Sequence, residues 1–255
     1  MTIFPCLCIP SNVKIIFNDF FYLLLLKAKA HKSDSEDLKD KPSFGGTLNN
    51  LFFNGLKFLG YWLLKTFFSF EAINIHQVSA TGPFIITANH FSFMDPPVLQ
   101  AACPQRIHFL MTDKYFNSIW GHWFFKLMHA IPLRENTVYN IGPVKIGLEI
   151  LKHGSVIGIF PEGGISKTGI IQDGRPGTLL LAQKSNVPIL PAFISGTYVA
   201  LPRHAKFFRK SKIKVIFGNL ITYEELSNGL KGKKGLEEAT KNLIKKISDL
   251  SQKDR

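Results

Sequence analysis

Short apolar segments alternate with helix-like segments along most of the chain. From residue 72 onward, apolar or β-branched residues form runs of four to eight, which is typical of buried strands. The runs that predict strands are 72–78, 84–88, 107–111, 130–133, 156–160, 187–194 and 213–217. Segments with helical periodicity lie between them at 97–102, 115–128, 144–152 and 178–184. This alternation predicts an α/β domain with a mixed, largely parallel central sheet flanked by helices.

The segment 51–70 has a different pattern. It is strongly apolar except for one narrow stripe of polar residues spaced three or four apart, which predicts a helix. The stripe consists of Asn50, Asn54, Lys57, Tyr61 and Lys65. A helix of this kind is either part of the core or lies in a membrane interface, with its lysines reaching the lipid head groups.

Residues upstream of this helix complete an N-terminal unit. The apolar run 15–26 is shorter than the ~20 residues of a membrane-spanning helix, and residues 31–46 have the composition of a polar linker. A signal peptide is an alternative, because Ala28-Lys29-Ala30 resembles a cleavage site, although Asp19 interrupts the apolar run. We therefore predict N-terminal apolar helices and a linker over 1–70, which dock on a membrane, and an α/β domain over 71–255.

The charge of the chain restricts the class of partner. The sequence has 31 Lys/Arg against 18 Asp/Glu, a formal net charge of +13, and residues 203–255 hold 14 of the basic residues against 6 acidic ones. This excess favours nucleic acid, an anionic membrane or a phosphorylated substrate, unless it is only a solvated face. Nucleic acid is the least favoured, because no zinc-finger or RNA-binding motif accompanies the basic region. An amphipathic helix over 235–250 is expected to pack on the domain.

The candidate chemistry follows two of the predicted strands. Strand 84–88 leads directly into Asn89 and His90, and Asp95 follows five residues after the histidine. Across a turn, a carboxylate at this spacing can accept a hydrogen bond from one imidazole nitrogen, which leaves the other nitrogen free to take a proton. Asp95 could instead be only a helix cap, with His90 a structural loop residue.

Four sequence blocks in order carry a resemblance to a known family. Asn-His-x-Ser-x-x-Asp at 89–95 is followed about 65 residues later by Phe-Pro-Glu-Gly at 160–163. Ala-Ile-Pro-Leu-Arg at 130–134 and Val-Pro-Ile-Leu-Pro at 187–191 are the other two blocks. Together they resemble the glycerolipid acyltransferases, most closely the 1-acylglycerol-3-phosphate (lysophosphatidate) acyltransferases. The resemblance covers about residues 72–200 and implies a glycerol-3-phosphate acyltransferase-like fold.

The resemblance also implies an activity. The chain is expected to move an acyl group from acyl-CoA or an acyl carrier protein to the free hydroxyl of lysophosphatidate, without a metal or cofactor. His90 is then the general base, Asp95 orients it, and Arg134 binds the phosphate. The other residues expected at the substrate are Asn89, Ser92, Glu162, Gly163, Lys167, Arg175 and Pro191. Glu162 is expected to order its loop, and backbone N–H groups near Gly163 to bind the oxyanion.

One departure from the family pattern leaves the acceptor open. The family commonly continues Phe-Pro-Glu-Gly with Thr-Arg-Ser, whereas this chain has Gly164-Ile165-Ser166, so Arg175 or Lys167 is expected to supply the charge. Glycerol 3-phosphate, another lysolipid or an amino-acid lipid is an alternative acceptor. A thioester hydrolase and a non-catalytic membrane-binding module are the alternatives from other classes. The expected location is the cytoplasmic face of the cell membrane, as a monotopic enzyme.

Overall fold

The computed structural model describes residues 47–78, 82–112, 130–133, 142–205 and 207–254. Within these ranges the chain forms seven strands and seven α-helices. The strands are β1 Glu71–Ile73, β2 Ile85–Ala88, β3 Ile107–Thr112, β4 Ile131–Leu133, β5 Val156–Ile159, β6 Ile189–Ser195 and β7 Lys214–Phe217. The helices are α1 Thr47–Phe68, α2 Asp95–Ala102, α3 Gly142–Lys152, α4 Gly177–Ser185, α5 Thr197–Ala200, α6 Tyr223–Ser227 and α7 Gly232–Ser251.

The strands form one sheet in the order β1-β7-β6-β2-β5-β3-β4. Every neighbouring pair is parallel except β6 and β7, so the predicted mixed, largely parallel sheet is confirmed. Because β2, β5 and β6 run in the same direction, their carboxyl ends lie at one edge of the sheet, which is where α/β proteins place their chemistry. The antiparallel strand β7 begins at this edge, and so does β1, which is parallel to β7.

Apolar side chains pack on both faces of the sheet. Ile85 and Ile86 belong to different core clusters, because successive residues of a strand point to opposite faces. One cluster packs the sheet against α1, α2 and α5, and the other packs it against α3, α4, α6 and α7. The helices α1 and α7 therefore lie on opposite faces, and the sheet is flanked by helices as predicted.

Helix α1 packs against helix α2 with one side and exposes an apolar side. Phe53 and Leu64 are buried in the core. Lys57 is turned inward, where its Nζ donates a 2.7 Å hydrogen bond to the carbonyl of Pro104, and burial lowers its pKa. The expectation that the lysines of the polar stripe reach outward to lipid head groups is therefore wrong for Lys57. The large apolar residues on the exposed side are Leu51, Phe52, Phe58, Leu59 and Trp62.

Among the described residues, no helix combines the length and the apolar character that crossing a bilayer requires.

Several element boundaries differ from the predicted ones. The strand predicted over 72–78 ends at Ile73, because Asn74 adopts a left-handed conformation (φ 59°) and a single 3-10 turn, Ile75–Gln77, follows. Helix α6 adds to the predicted elements, and its capping box of Thr222 and Glu225 is visible in the sequence as Thr-x-x-Glu. The segments predicted over 15–26, 31–46 and 115–128 lie outside the described residues.

Candidate active site

His90 and Asp95 meet at the carboxyl edge of the sheet. His90 follows the end of β2, and Asp95 is the first residue of α2, so the connecting turn folds the carboxylate back toward the imidazole. Nδ1 of His90 lies 2.9 Å from Oδ2 of Asp95. Asp95 is fully buried, whereas the His90 side chain keeps 15% of its surface exposed. The pair predicted from the spacing is confirmed as a contact.

The hydrogen bonds of Asp95 determine which imidazole nitrogen carries a proton. Oδ2 also accepts the backbone N–H groups of Phe91 at 2.6 Å and Ser92 at 2.7 Å. Since three groups converge on one carboxylate oxygen, Nδ1 of His90 must be the donor in its contact with that oxygen. The lone pair of the neutral imidazole then lies on Nε2. This is the tautomer that a general base requires.

An aromatic stack holds the imidazole ring from the side. The ring of Phe160 stacks on that of His90 with centroids 4.1 Å apart and an interplanar angle of 17°. Phe109 stacks on Phe160 in turn, at 5.9 Å and 6°. The stack joins the ends of β2 and β5 to β3. Together with Asp95, it restricts the rotation of the imidazole about both of its side-chain torsions.

Glu162 ties two loops together at the back of the site. It is buried, and its carboxylate accepts the backbone N–H of His90 at 2.9 Å and that of Gln172 at 3.1 Å. Burial raises the pKa of Glu162, and the two N–H donors counteract this only in part. The expected loop-ordering role agrees with these contacts.

Asn89 and Ser92 also use their side chains on the main chain. Asn89 exchanges two hydrogen bonds of 2.8 Å with the carbonyl and the N–H of Ile194 in β6. Ser92 Oγ donates to the carbonyl of Leu201 at 2.7 Å and accepts from the N–H of Met94 at 3.1 Å. Both side chains are fully buried, and these contacts give them a positioning role. Their direct contact with a substrate stays a prediction.

The loop after β5 has a conformation that depends on glycine. Gly163 has φ +72°, and a Cβ there would lie 2.6 Å from Nε of Arg175, so the arginine side chain covers this backbone. The Arg175 N–H donates to the carbonyl of Pro161 at 2.7 Å. The Gly163 N–H donates to the carbonyl of Phe160 at 3.0 Å. The backbone N–H groups near Gly163 that are expected to bind the oxyanion therefore do not include that of Gly163 itself.

The other predicted residues are less central or lie outside the described part. Lys167 is exposed, and its carbonyl accepts a 3.1 Å hydrogen bond from the Tyr198 hydroxyl. Pro191 is buried within β6, in register with Thr87 of β2. Arg134 lies outside the described residues. Among the residues that the structure describes, no three His, Cys, Asp or Glu side chains form a group that could hold a metal.

Three contacts of the site go beyond the sequence-based predictions. The first is the Phe160 stack on His90. In the second, the Ser166 N–H donates to the carbonyl of His90 at 2.8 Å. In the third, Nη1 of Arg203 lies 3.4 Å from the carbonyl of Ile165. Phe160 lies in a recognised block, but no local signal in the sequence indicates Arg203.

Comparison with known proteins identifies the family. The model of the family described as Acyltransferase matches residues 69–195. A 1-acyl-sn-glycerol-3-phosphate acyltransferase of Bacillus subtilis (strain 168) is 30% identical over 188 residues, which cover 72% of this chain and 88% of that protein. The chain therefore belongs to the acyltransferase family, as the four sequence blocks predict.

Other relatives carry the same name. A chloroplastic 1-acyl-sn-glycerol-3-phosphate acyltransferase of Arabidopsis thaliana is 28% identical over 146 residues, covering 55% of this chain and 41% of that protein. The crystal structure of the 1-acyl-sn-glycerophosphate (LPA) acyltransferase PlsC from Thermotoga maritima aligns with a TM-score of 0.67 at 18% identity. The alignment covers 94% of this chain and 89% of the PlsC chain. This chain and PlsC share a fold. The relatives that match in sequence show that this chain is an enzyme resembling 1-acyl-sn-glycerol-3-phosphate acyltransferases.

Proposed function

We propose that this protein transfers an acyl chain from an acyl thioester to the free hydroxyl of lysophosphatidate, making phosphatidate. The observation that carries the proposal is the His90–Asp95 pair, held at the edge of the sheet with Nε2 of the histidine unoccupied by the carboxylate. The relatives named as 1-acyl-sn-glycerol-3-phosphate acyltransferases support the choice of acceptor.

In the proposed reaction, Nε2 of His90 takes the proton of the acceptor hydroxyl while the oxygen attacks the thioester carbonyl. The resulting tetrahedral oxyanion collapses, the carbon–sulfur bond breaks, and the imidazolium returns its proton to the thiolate. Buried Asp95 stabilises the imidazolium between these two steps. General-base assistance of this kind contributes about 10²–10⁴-fold to the rate. The reaction forms no covalent intermediate with the enzyme and uses no cofactor.

The oxyanion requires donors other than the Gly163 amide. We place it beside Gly164, where a side chain would meet no atom within 4 Å, so the backbone is open to a substrate. The acceptor phosphate is assigned to Arg134 together with Arg175 or Lys167. The position of Arg175 over Gly163 supports its part in this role, because the glycine belongs to the same loop as Glu162.

The membrane supplies the lysophosphatidate and takes up the product. We propose that the exposed apolar side of α1 docks on an anionic membrane, at the cytoplasmic face of the cell membrane, without crossing it. Burying large apolar side chains contributes about 1.5–3 kcal/mol each when burial is complete, so Phe58 and Trp62 suffice for appreciable binding. The division into an N-terminal docking unit, 1–70, and a catalytic unit, 71–255, belongs to this proposal.

A mass-spectrometric screen tests the function. Purified protein is given acyl-CoA or acyl-loaded acyl carrier protein with lysophosphatidate, glycerol 3-phosphate, other lysolipids or no acceptor. We expect phosphatidate from lysophosphatidate, and its loss in His90→Ala but not in the control His153→Ala, which changes an exposed histidine. Transfer to a different acceptor would refute the choice of lysophosphatidate. Release of free fatty acid regardless of acceptor would make the protein a thioester hydrolase.

A further inference from the structure

We infer that the protein has a second membrane-contacting element, residues 207–212, which we call the basic loop. Its tip carries two adjacent phenylalanines, Phe207 with 82% and Phe208 with 57% of its surface exposed. Arg209, Lys210 and Lys212 follow directly, in the order Phe-Phe-Arg-Lys-Ser-Lys. The exposure of adjacent aromatic side chains to water is unfavourable. Aromatic side chains flanked by cations suit the boundary between acyl chains and anionic head groups.

The base of the basic loop is fastened to the body of the protein. The Arg209 N–H donates to the carbonyl of Ala200 at 2.8 Å, and Ser211 Oγ donates to the carbonyl of Gly196 at 2.9 Å. A Cβ at Gly196 would collide with the carbonyl of Lys212, so the chain here passes too close for any side chain. The exposed phenylalanines therefore project from a fixed support, which lowers the entropy lost when they insert.

The basic loop lies at the same edge of the sheet as His90. It connects β6, whose carboxyl end is at that edge, to the start of β7. Phe208 packs edge-on against Phe68 at the end of α1, with ring centroids 6.1 Å apart. The apolar side of α1 and the tip of the basic loop can therefore contact one surface, at the edge of the sheet that carries His90. This continuity with α1 favours a lipid bilayer as the occupant.

The charge around the basic loop favours an anionic bilayer in particular. No acidic residue occurs in the sequence between Asp173 and Glu224. Lys212 pairs with Glu71 at 3.1 Å, while Arg209 and Lys210 are exposed. Basic residues close to an anionic surface strengthen binding in a salt-dependent manner.

Vesicle co-sedimentation of the full chain tests the inference, with vesicles of equal parts phosphatidylcholine and phosphatidylglycerol. We expect Phe207→Ser combined with Phe208→Ser to lower the partition coefficient by about tenfold or more, and Phe207→Ser alone to lower it less. The control Leu230→Ser changes an exposed residue between α6 and α7, on the other face of the sheet, and should bind like the wild type. Arg209→Gln with Lys210→Gln should reduce binding to these vesicles but not to pure phosphatidylcholine.

Further measurements separate the possible outcomes. Unchanged vesicle binding by the double phenylalanine variant, with an unchanged thermal unfolding curve, would overturn the inference. If the double phenylalanine variant binds vesicles like the wild type but has a different oligomeric state in analytical sedimentation, the basic loop mediates contact between copies of the chain and the inference is wrong. The inference rests on the proposed docking of α1 but does not depend on the reaction. A wild type inactive on monomeric short-chain lysophosphatidate would refute the proposed function alone, because vesicle binding is measured separately.

Discussion

Substituting Asp95 by asparagine separates the charge of this residue from its geometry. The oxygen Oδ2 accepts from Phe91, Ser92 and His90, and two of these donors are backbone N–H groups that cannot reverse their polarity. The asparagine oxygen must therefore take the place of Oδ2, and His90 keeps its tautomer. The amide NH2 falls where Oδ1 now lies, a buried position without a hydrogen-bond partner among the described residues.

The expected cost follows from these contacts. Hydrogen bonds to a charged group contribute about 1.5–3 kcal/mol and neutral ones about 0.5–1.5, so three bonds that become neutral lose about 3 kcal/mol together. The NH2 group replaces an Oδ1 that also lacks a partner, so it adds little to this loss. An amide is easier to bury than a carboxylate, which offsets part of the loss. We expect a net destabilisation of about 1–3 kcal/mol, equivalent to a fall in Tm of about 2–12 °C for a chain of this size.

Activity should fall further than stability alone explains. The imidazolium loses its counter-charge in Asp95→Asn, so kcat/KM should drop by about 100-fold or more at temperatures where the variant is folded. Calorimetry and acyl transfer are measured beside the exposed control Asp249→Asn and the variant His90→Ala. His90→Ala should lose activity with a smaller change in Tm, because its side chain is partly exposed. An Asp95→Asn protein with wild-type Tm and turnover would refute this description of the site.

Three further predictions concern the surrounding loops. Burial raises the pKa of Glu162 above its ordinary value, so the folded protein keeps the carboxyl proton to a higher pH than the unfolded chain does. As the pH rises from about 4.5 through the raised pKa, the wild type should therefore lose stability relative to Glu162→Gln. The difference between their Tm values, measured across pH, tests this. Gly163→Ala should destabilise the folded protein by about 1–2 kcal/mol, because alanine resists the left-handed conformation. It should also raise the KM for the acceptor by displacing Arg175, and an unchanged KM would contradict the role of that arginine. Asn89→Ala should lower the free energy of unfolding by about 2–4 kcal/mol, because it removes two hydrogen bonds to β6. Chemical denaturation measures this loss. A loss below about 1 kcal/mol would show that water replaces the two hydrogen bonds.

The sequence predicts the strands and the contact between the two side chains proposed as catalytic because their signals are local. His90 and Asp95 are separated by one turn, and each motif directly follows an apolar run. The bonds from Glu162 to the His90 backbone, and from Arg203 to Ile165, join residues far apart in sequence, so they depend on strand order. Strand order is not encoded in any single segment.

The orientation of α1 could not be predicted for a different reason. Periodicity indicates which face of a helix is buried only when the other face is polar. Almost the whole circumference of α1 is apolar, so the polar stripe suggested an outward face. In the structure Asn50, Asn54 and Lys65 of that stripe are exposed, as it suggests. Lys57 instead turns toward Pro104, and the exposed side also carries Phe58 and Trp62.

The pairing of β1 with β7 has a consequence for synthesis on the ribosome. Glu71 is in register with Lys214, so the strand that follows α1 has no partner until almost the whole chain has been made. At about 5–20 residues per second, the interval between the two strands is roughly 7–30 s. For most of this time α1 is outside the ribosome while the sheet, whose core cluster buries Leu64, is still incomplete. If α1 docks on a membrane as proposed, we therefore expect the nascent chain to reach it through α1 before the sheet is complete.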